Sequence, residues 1–448
     1  MDDYRLVADA VAAEIAAGRL RPGDRLAPQR EFARAHGIAN STAARVYKEL
    51  VRRGLVVGEV GRGTFVRSAD RATAPEPALA EPAQARVDLE LNLPIVPEQA
   101  ELLAAGLRRF QRPDVLAAAL RPTGATGTRS AREAAAGLLA HDGWRPDPAA
   151  LRFTGSGRQA IAAALSALVP AGERLAVEAR TYPVVKSLAA RLGIALVPVD
   201  VDEHGLDPDA LAAAHRATPV RAVYVQPTLH NPSSATMPAS RRAALAGVLQ
   251  RHHMRAIEDR IWAFLPDEAP PPLAAFAPAH TILIDSLSKR LTPGLTAGFA
   301  VVPPDIADAF TLAVRSGAWL PAGFALDAVT GWINDGTVAE ISARKRADVV
   351  TRQAILTETL AGFRLRTDPR SYFCWWDLPT PWRAETFVAA AARRGIAVTP
   401  AAAFTVGNGG SPNAVRFGLA SPSPGTLAHA LGVLGSIARG TPDDAAVD

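Results

Sequence analysis

The chain has a single cysteine, Cys374, so no intramolecular disulfide can form, and without a second thiol or a neighbouring histidine pair that cysteine is a poor metal ligand. It reads as core, and no metal site is expected. Long apolar runs are also missing: none approaches the roughly 18 residues of a membrane span. The opening MDDYRLVADAVAAEIAAG starts acidic and lacks the charged-then-apolar order of a signal peptide, so the expectation is a cytoplasmic protein with no membrane partner. Lysine is scarce, confined to Lys48, Lys186, Lys289 and Lys345 among a basic complement that is otherwise arginine. A lysine in a suggestive setting therefore carries unusual weight. Nor is the composition that of a disordered chain, with 48% hydrophobic and 21% charged residues.

At 448 residues, one small unit plus a large multi-lobed body is the natural division. Residues 1–67 hold twelve Arg and Lys against eight Asp and Glu, so most of the net charge of +5 sits in the first unit and implies an anionic partner there. From Ser68 to about Pro82 the sequence SADRATAPEPALAEP is rich in Ala and Pro with no hydrophobic period, which predicts a linker over 68–86. From Val87 onward short apolar runs (RLAVEA, ALVPVDV, RAVYVQP, MRAIED, TILIDSL, FAVVP) alternate with Ala- and Leu-rich helical stretches. That alternation predicts an α/β body, 87–448, with a mostly parallel sheet. After Trp332, a long polar helix followed by short strands and helices predicts a smaller α+β lobe from about residue 333.

In the first unit Val7, Val11 and Ile15 share a helical face that ends at Gly18, and a second helix opens at Pro28 and closes before Gly37. A third starts at Asn40 or Ser41, turning Ala43, Val46, Tyr47 and Leu50 inward and Ser41, Arg45, Lys48 and Arg52 outward. Hydroxyls and cations at helical spacing are what a helix reading the major groove of a duplex presents. The stretch LVVGEVGRGTFVRS predicts a hairpin whose tip, Arg62, reaches a DNA backbone or minor groove. A basic helix face by itself is more often merely solvated. Here GRLRPGDRLAPQREFARAHGIANSTAARVYKELVRRGLVVGEVGRGTFV resembles, nearly end to end, the winged helix-turn-helix domain of the GntR family of bacterial regulators. The resemblance places Arg30, Ser41, Thr42, Arg45 and the wing residues Gly61 and Gly63 at double-stranded DNA.

The body carries five segments that are individually ambiguous. In DSLSKRLTPGL, Lys289 follows a strand-like run and a serine pair that begins at Ser286, a setting in which an amine can condense with an aldehyde cofactor as a Schiff base. FTGSGRQAI passes from strand to helix through Ser156, Gly157 and Arg158, where backbone amides and the helix dipole favour a phosphate. EARTYPVV sets Tyr182 after a strand, able to stack on a flat ring; QPTLHNPSS sets Asn231 where it can donate to a phenolate oxygen. AIEDRIWAF places Asp259 at the carboxyl end of a strand, where an acid keeps a pyridine nitrogen protonated.

In this order and spacing the five segments resemble fold-type I aminotransferases, from about Val87 to Gly440, and with the head in front the whole resembles the MocR subgroup of GntR regulators. The resemblance implies pyridoxal 5'-phosphate as cofactor, with Lys289 as its Schiff-base lysine, Asp259 as partner of the pyridine nitrogen, Asn231 as phenolate donor and Tyr182 as stacking ring. It makes Arg416, in NAVRFGLAS, the clamp for an amino acid's carboxylate, a task that suits a guanidinium fork. It also implies a homodimer. Three positions depart from the pattern. Thr296 stands where an arginine usually meets the cofactor phosphate, Trp262 where a tyrosine usually assists the phenolate, and LRPTGATGT lacks the tyrosine that a partner subunit commonly supplies to the phosphate. Arg158 or Arg290 is expected to make up the lost phosphate contact.

The reading that follows is a DNA-binding transcriptional regulator whose body senses pyridoxal phosphate, an amino acid or an amine. The alternative is a working aminotransferase with a DNA-binding head, followed by a body that has lost its cofactor and only dimerises.

Overall fold

A computed structural model describes residues 3–17, 19–21, 23–52, 55–59, 63–66, 85–141, 143–407 and 410–442; for residues 3, 5, 6, 16, 52, 58 and 59 it describes the backbone alone. The expected linker core and the wing tip with Gly61 and Arg62 lie outside the described residues, as does the side chain of Arg52.

The head is built from α1 (Asp3–Ala16), α2 (Gln29–Ala35), α3 (Asn40–Arg52) and a hairpin of β1 (Val56–Glu59) and β2 (Gly63–Val66). Ala8, Val11 and Ile15 of α1 recur at three- and four-residue spacing and bury against Ala43, Val46, Tyr47 and Leu50 of α3. Phe32 and Ala33 of α2 and Val56 and Val66 of the hairpin close the cluster. The Tyr47 hydroxyl enters this core only because it donates to the Ala27 carbonyl, which removes the cost of burying it.

In the body, seven strands form one sheet in the spatial order Leu151–Thr154, Gly298–Val301, Thr281–Ser286, Arg255–Asp259, Ala222–Val225, Arg174–Glu178 and Ala195–Val199. All run parallel except Gly298–Val301, which is antiparallel to both neighbours. Helices such as Gly157–Leu168 and Ala239–Arg251 pack against the sheet, so Ala222–Val225 and Thr281–Ser286 are buried at every residue. A strand covered on both faces needs a continuous apolar run, not an alternating one, and that is what the sequence supplies.

The smaller lobe is an antiparallel sheet, Arg364–Arg366, Phe373–Asp377, Ala414–Gly418 and Thr399–Pro400 in order, packed against Thr337–Thr359, Ala384–Arg393 and Pro424–Arg439. A segment from far upstream joins it: Val87–Asp88 pairs in parallel with Ile396–Ala397, and Leu89 is buried in the lobe's core. Two residues are too few to show a period, so nothing in the sequence announces this strand. The wing also meets the lobe, with the Arg383 guanidinium 4.2 Å from the centroid of Phe65. Among the described residues no helix is long and apolar enough to cross a membrane, and no group of three or more His, Cys, Asp or Glu is placed to hold a metal ion.

Candidate cofactor site and DNA-facing helix

The parallel strands end side by side, so residues at their carboxyl ends converge. Arg255–Asp259 delivers Asp259, Arg174–Glu178 delivers Tyr182 four residues beyond its end, and Thr281–Ser286 runs into the one-turn helix Leu287–Arg290 that carries Lys289. Ser286 caps that turn: its hydroxyl accepts from the Ser288 backbone N–H at 3.3 Å and lies 2.7 Å from the Ser288 hydroxyl.

Lys289 Nζ donates to the carbonyl of Asn92 at 2.6 Å and lies 5.2 Å from the ring centroid of Trp262. Burial, reinforced by the like charges of Arg158 and Arg416, pushes its ammonium down to about 7. Near neutrality a large share of this amine is therefore unprotonated, the form that attacks a carbonyl. Trp262, almost fully buried among Phe264, Tyr372 and Phe373, thus forms a wall beneath the amine.

Asp259 is buried and takes three hydrogen bonds, from the Tyr224 hydroxyl at 2.6 Å, Gln226 Nε2 at 3.0 Å and the Ile261 N–H at 3.0 Å. Burial pushes its carboxyl up, and the three donors work against that shift. Burial above all, with the Asp259 contact added to it, drives the Tyr224 phenol far above its ordinary range, so it stays a donor. Gln226 holds Asn231 as well, accepting from its backbone N–H at 3.2 Å, while Asn231 Oδ1 is buried with no hydrogen-bond partner among the described residues.

Ser156 caps the helix Gly157–Leu168, its hydroxyl accepting from the Gln159 N–H. The turn is seated tightly: a Cβ on Gly298 would fall 2.3 Å from the Ser156 carbonyl, and one on Gly157 3.1 Å from Ser286 Oγ. Glycine at both positions brings the helix N-terminus against the lysine's strand. Arg158 is exposed there and donates through Nε to the Tyr182 hydroxyl at 3.3 Å. Arg290 is otherwise committed, in a 2.8 Å ion pair with Asp285 and 5.0 Å from the Phe264 centroid. Thr296 makes no more than a weak 3.5 Å contact to the Ala297 carbonyl.

Arg416, on Ala414–Gly418, is buried, donates through Nη1 to the Glu90 carbonyl at 2.8 Å and sits 5.2 Å from the Phe404 centroid. Burial pulls its pKa down to about 10, opposed by Glu90, Tyr182 and Asp88. Lys289, Arg158, Arg416, Tyr182, Trp262 and the Asp259–Asn231 pair thus share one site.

Several members escaped sequence reasoning. Gln226 opens the same QPTLHN segment as Asn231 and had that proximity as its signal. Lys345 is fully buried, donating to the carbonyls of Lys289 at 2.9 Å and Leu291 at 2.7 Å, and the scarcity of lysine could have flagged it. Glu178 and His230, 3.1 Å apart and both buried, lie beneath Gln226, whose N–H bonds Glu178. Asn92 gave no signal, since its partners are 197 and 328 residues away.

In the head, Ser41, Arg45 and Lys48 are exposed on one side of α3, opposite its buried face, and Thr42 is half-buried. Arg30, in the first turn of α2, is exposed. Arg45 lies 4.1 Å from the Tyr4 ring centroid, which leans its guanidinium on α1.

Known proteins match both parts. The family described as "Aminotransferase class I and II" matches residues 118–434, and "Bacterial regulatory proteins, gntR family" matches residues 3–66. The uncharacterized HTH-type transcriptional regulator YdeF of Bacillus subtilis (strain 168) is 28% identical over 421 residues, covering 94% of this chain and 90% of its own. The HTH-type pyridoxine biosynthesis transcriptional regulator PdxR of Corynebacterium glutamicum is 27% identical over 426 residues, covering 93% and 92%. Among solved structures, the α-aminoadipate aminotransferase LysN of Thermus thermophilus superposes with a TM-score of 0.70 at 23% identity, over 78% of this chain and 91% of its own. The body has the fold-type I aminotransferase architecture. The chain therefore belongs to the aminotransferase class I and II family and carries a gntR-family head, the two-part layout of the MocR regulators.

Proposed function

We propose that this protein is a transcriptional regulator that holds pyridoxal 5'-phosphate in its body and reports the state of that site to DNA through its head. The observation that carries the reading is Lys289: a buried amine held near pKa 7 over Trp262, with Arg158 and Arg416 close enough to oppose its charge, in a chain that also exposes a basic helix. The relative named for pyridoxine biosynthesis regulation agrees with it.

The residues present fit the cofactor. Asp259, held by three donors, is the carboxylate that would keep a pyridine nitrogen protonated. The N-terminus of Gly157–Leu168, with Arg158 exposed beside it, offers amides and charge to a phosphate in place of the arginine absent at Thr296. Tyr182 supplies a ring, and the amino group of Asn231 is the donor for the phenolate oxygen. When bound, pyridoxal phosphate supplies an aldehyde that an amine captures reversibly. Of this chain's own groups, Lys289 provides the unprotonated amine, Trp262 limits water beneath it, and Arg416 receives an effector's carboxylate. Arg290, engaged by Asp285, is the weaker candidate for the phosphate.

A ligand shifts the head only by binding two arrangements of the protein unequally. The contact of Arg383 with Phe65 joins the lobe that bears Arg416 to the wing, and offers a route. A homodimer presenting two heads to a repeated site belongs to this reading. Leu116 and Leu120 on Pro113–Ala119 and the turn after it, with Phe324 on the helix packed against them, leave an apolar surface that a second copy would cover. Such a regulator acts in the cytoplasm, where the DNA is.

Purified full-length protein incubated with pyridoxal phosphate is expected to acquire a visible absorbance band that Lys289→Ala lacks, and to retard the DNA upstream of its own gene with an affinity that depends on the cofactor. Sustained amino-group transfer between amino and keto acids without DNA retardation would replace this reading by the aminotransferase one.

A further inference from the structure

The segment leading from the linker into the body lies across the site. Its two carbonyls at Glu90 and Asn92 accept from Arg416 and Lys289 respectively. Asn92 is more than nine-tenths buried, an unusual location for an amide with unmet capacity. Its orientation is fixed by its oxygen: Oδ1 accepts from the Ala420 N–H at 3.1 Å, which turns the amino group the other way. That amino group, Nδ2, has no acceptor among the described residues.

The side chain rests on Gly418, where a Cβ would lie 3.0 Å from Asn92 Oδ1 and 3.1 Å from its Cγ. Gly418 and Arg416 are two apart on one strand and so face the same side, which sets the Asn92 amide next to the guanidinium. Arg416 Nε is likewise buried without an acceptor. Two neighbouring buried donors left unpaired call for one anionic ligand with two acceptor oxygens. The carbonyl of Asn92 meanwhile touches the Lys289 amine, so the ligand's own amino group belongs at the other end of the same residue.

We propose that Asn92 is a specificity-determining residue of the effector site: its amide acts with Arg416 on a carboxylate, making the body choose amino acids over amines that have none. This rests on the sensor reading above and adds a second group to the carboxylate site that it gives to Arg416. Asn92 contributes two distinct groups: the backbone oxygen bonds the lysine, and the side-chain amide bonds the ligand. The two are separable because substitution removes only the second.

The test uses full-length protein loaded with pyridoxal phosphate and titrated, by its visible absorbance, with L-alanine and with ethylamine, which is alanine without the carboxylate. The readout is the ratio of the two half-saturation concentrations. In the wild type alanine is expected to be favoured by about tenfold or more. Asn92→Asp keeps the acceptor for the Ala420 N–H but turns the donor into a second acceptor, and is expected to abolish or invert the preference; Asn92→Ala is expected to reduce it severalfold. A ratio unchanged in both variants, or a wild type that does not favour alanine, overturns the role of Asn92. A protein that shows no Lys289-dependent absorbance at the outset fails earlier, at the sensor reading itself.

Discussion

The head and the body's site bury polar groups over very different lengths of chain. In the head, the residues that pack around Tyr47 and Leu50 all come from between Tyr4 and Val66, within the head itself. In the body, Lys289 bonds a carbonyl 197 residues upstream, and Ala420 bonds a side chain 328 residues away. The head thus has a core that forms from local contacts, while the site closes only when the upstream segment is laid between the sheet and the smaller lobe. Stability and function are separable as a result. Damage to the head core is expected to spare the site, and damage to the site to spare the fold of the head.

The largest break in that comparison comes from Leu50→Ala. Leu50 is fully buried at the centre of a small cluster, and truncation there costs about 2–5 kcal/mol. DNA retardation is expected to disappear while the Lys289-dependent absorbance persists; loss of both would show that head and body unfold together.

Next in size is Asp259→Asn, which preserves shape but removes the charge proposed to meet a pyridine nitrogen. A charge-assisted hydrogen bond is worth about 1.5–3 kcal/mol, so cofactor affinity is expected to fall by about 10- to 100-fold. Fluorescence titration of the cofactor measures this, and cofactor-free DNA affinity is the control that should not move.

Titration of Lys289 sharpens the account of the site. Its pKa of about 7 means that the unprotonated, reactive amine is depleted as pH falls through 7 and complete above it. Stopped-flow capture of pyridoxal phosphate should slow about tenfold per unit below that midpoint and level off above it. Because Arg158 and Arg416 help hold the value down, Arg416→Gln should move the midpoint upward. A midpoint unaffected by the substitution would leave burial and Arg158 as the causes.

The smallest effect is expected at the junction. A partly exposed cation over a ring contributes about 0.5–1 kcal/mol, so Arg383→Ala should alter the cofactor's influence on DNA affinity by only a fewfold. Mobility shift with and without cofactor reads it, and an unchanged influence would rule out this contact as the connection.

Much of the site is legible in the amino-acid sequence because the parallel sheet converts sequence order into spatial convergence. Asp259 ends a strand and Lys289, Asn231, Tyr182 and Ser156 each follow one, and strands that end together bring such residues together. What Arg158 and Arg290 do is not legible there, since both follow motifs and only packing gives Arg290 to Asp285. Tyr224, the firmest partner of Asp259, looks in sequence like any residue of a buried strand. Its hydroxyl matters because of a neighbour one strand away.

By itself, then, the sequence determined the local matters: the period of α3 and its two faces, the strand–turn–helix segments, and the types of group delivered at each strand end. Those depend on backbone periodicity and turn chemistry, which act over a few residues. Tertiary structure alone decided that Val87–Asp88 joins the smaller lobe, that Asn92 touches the lysine while its amide rests on Gly418, and that the Lys289 amine sits near neutrality. Burial and like charge set that last property, and both are supplied by residues that are distant along the chain and meet only when it is folded.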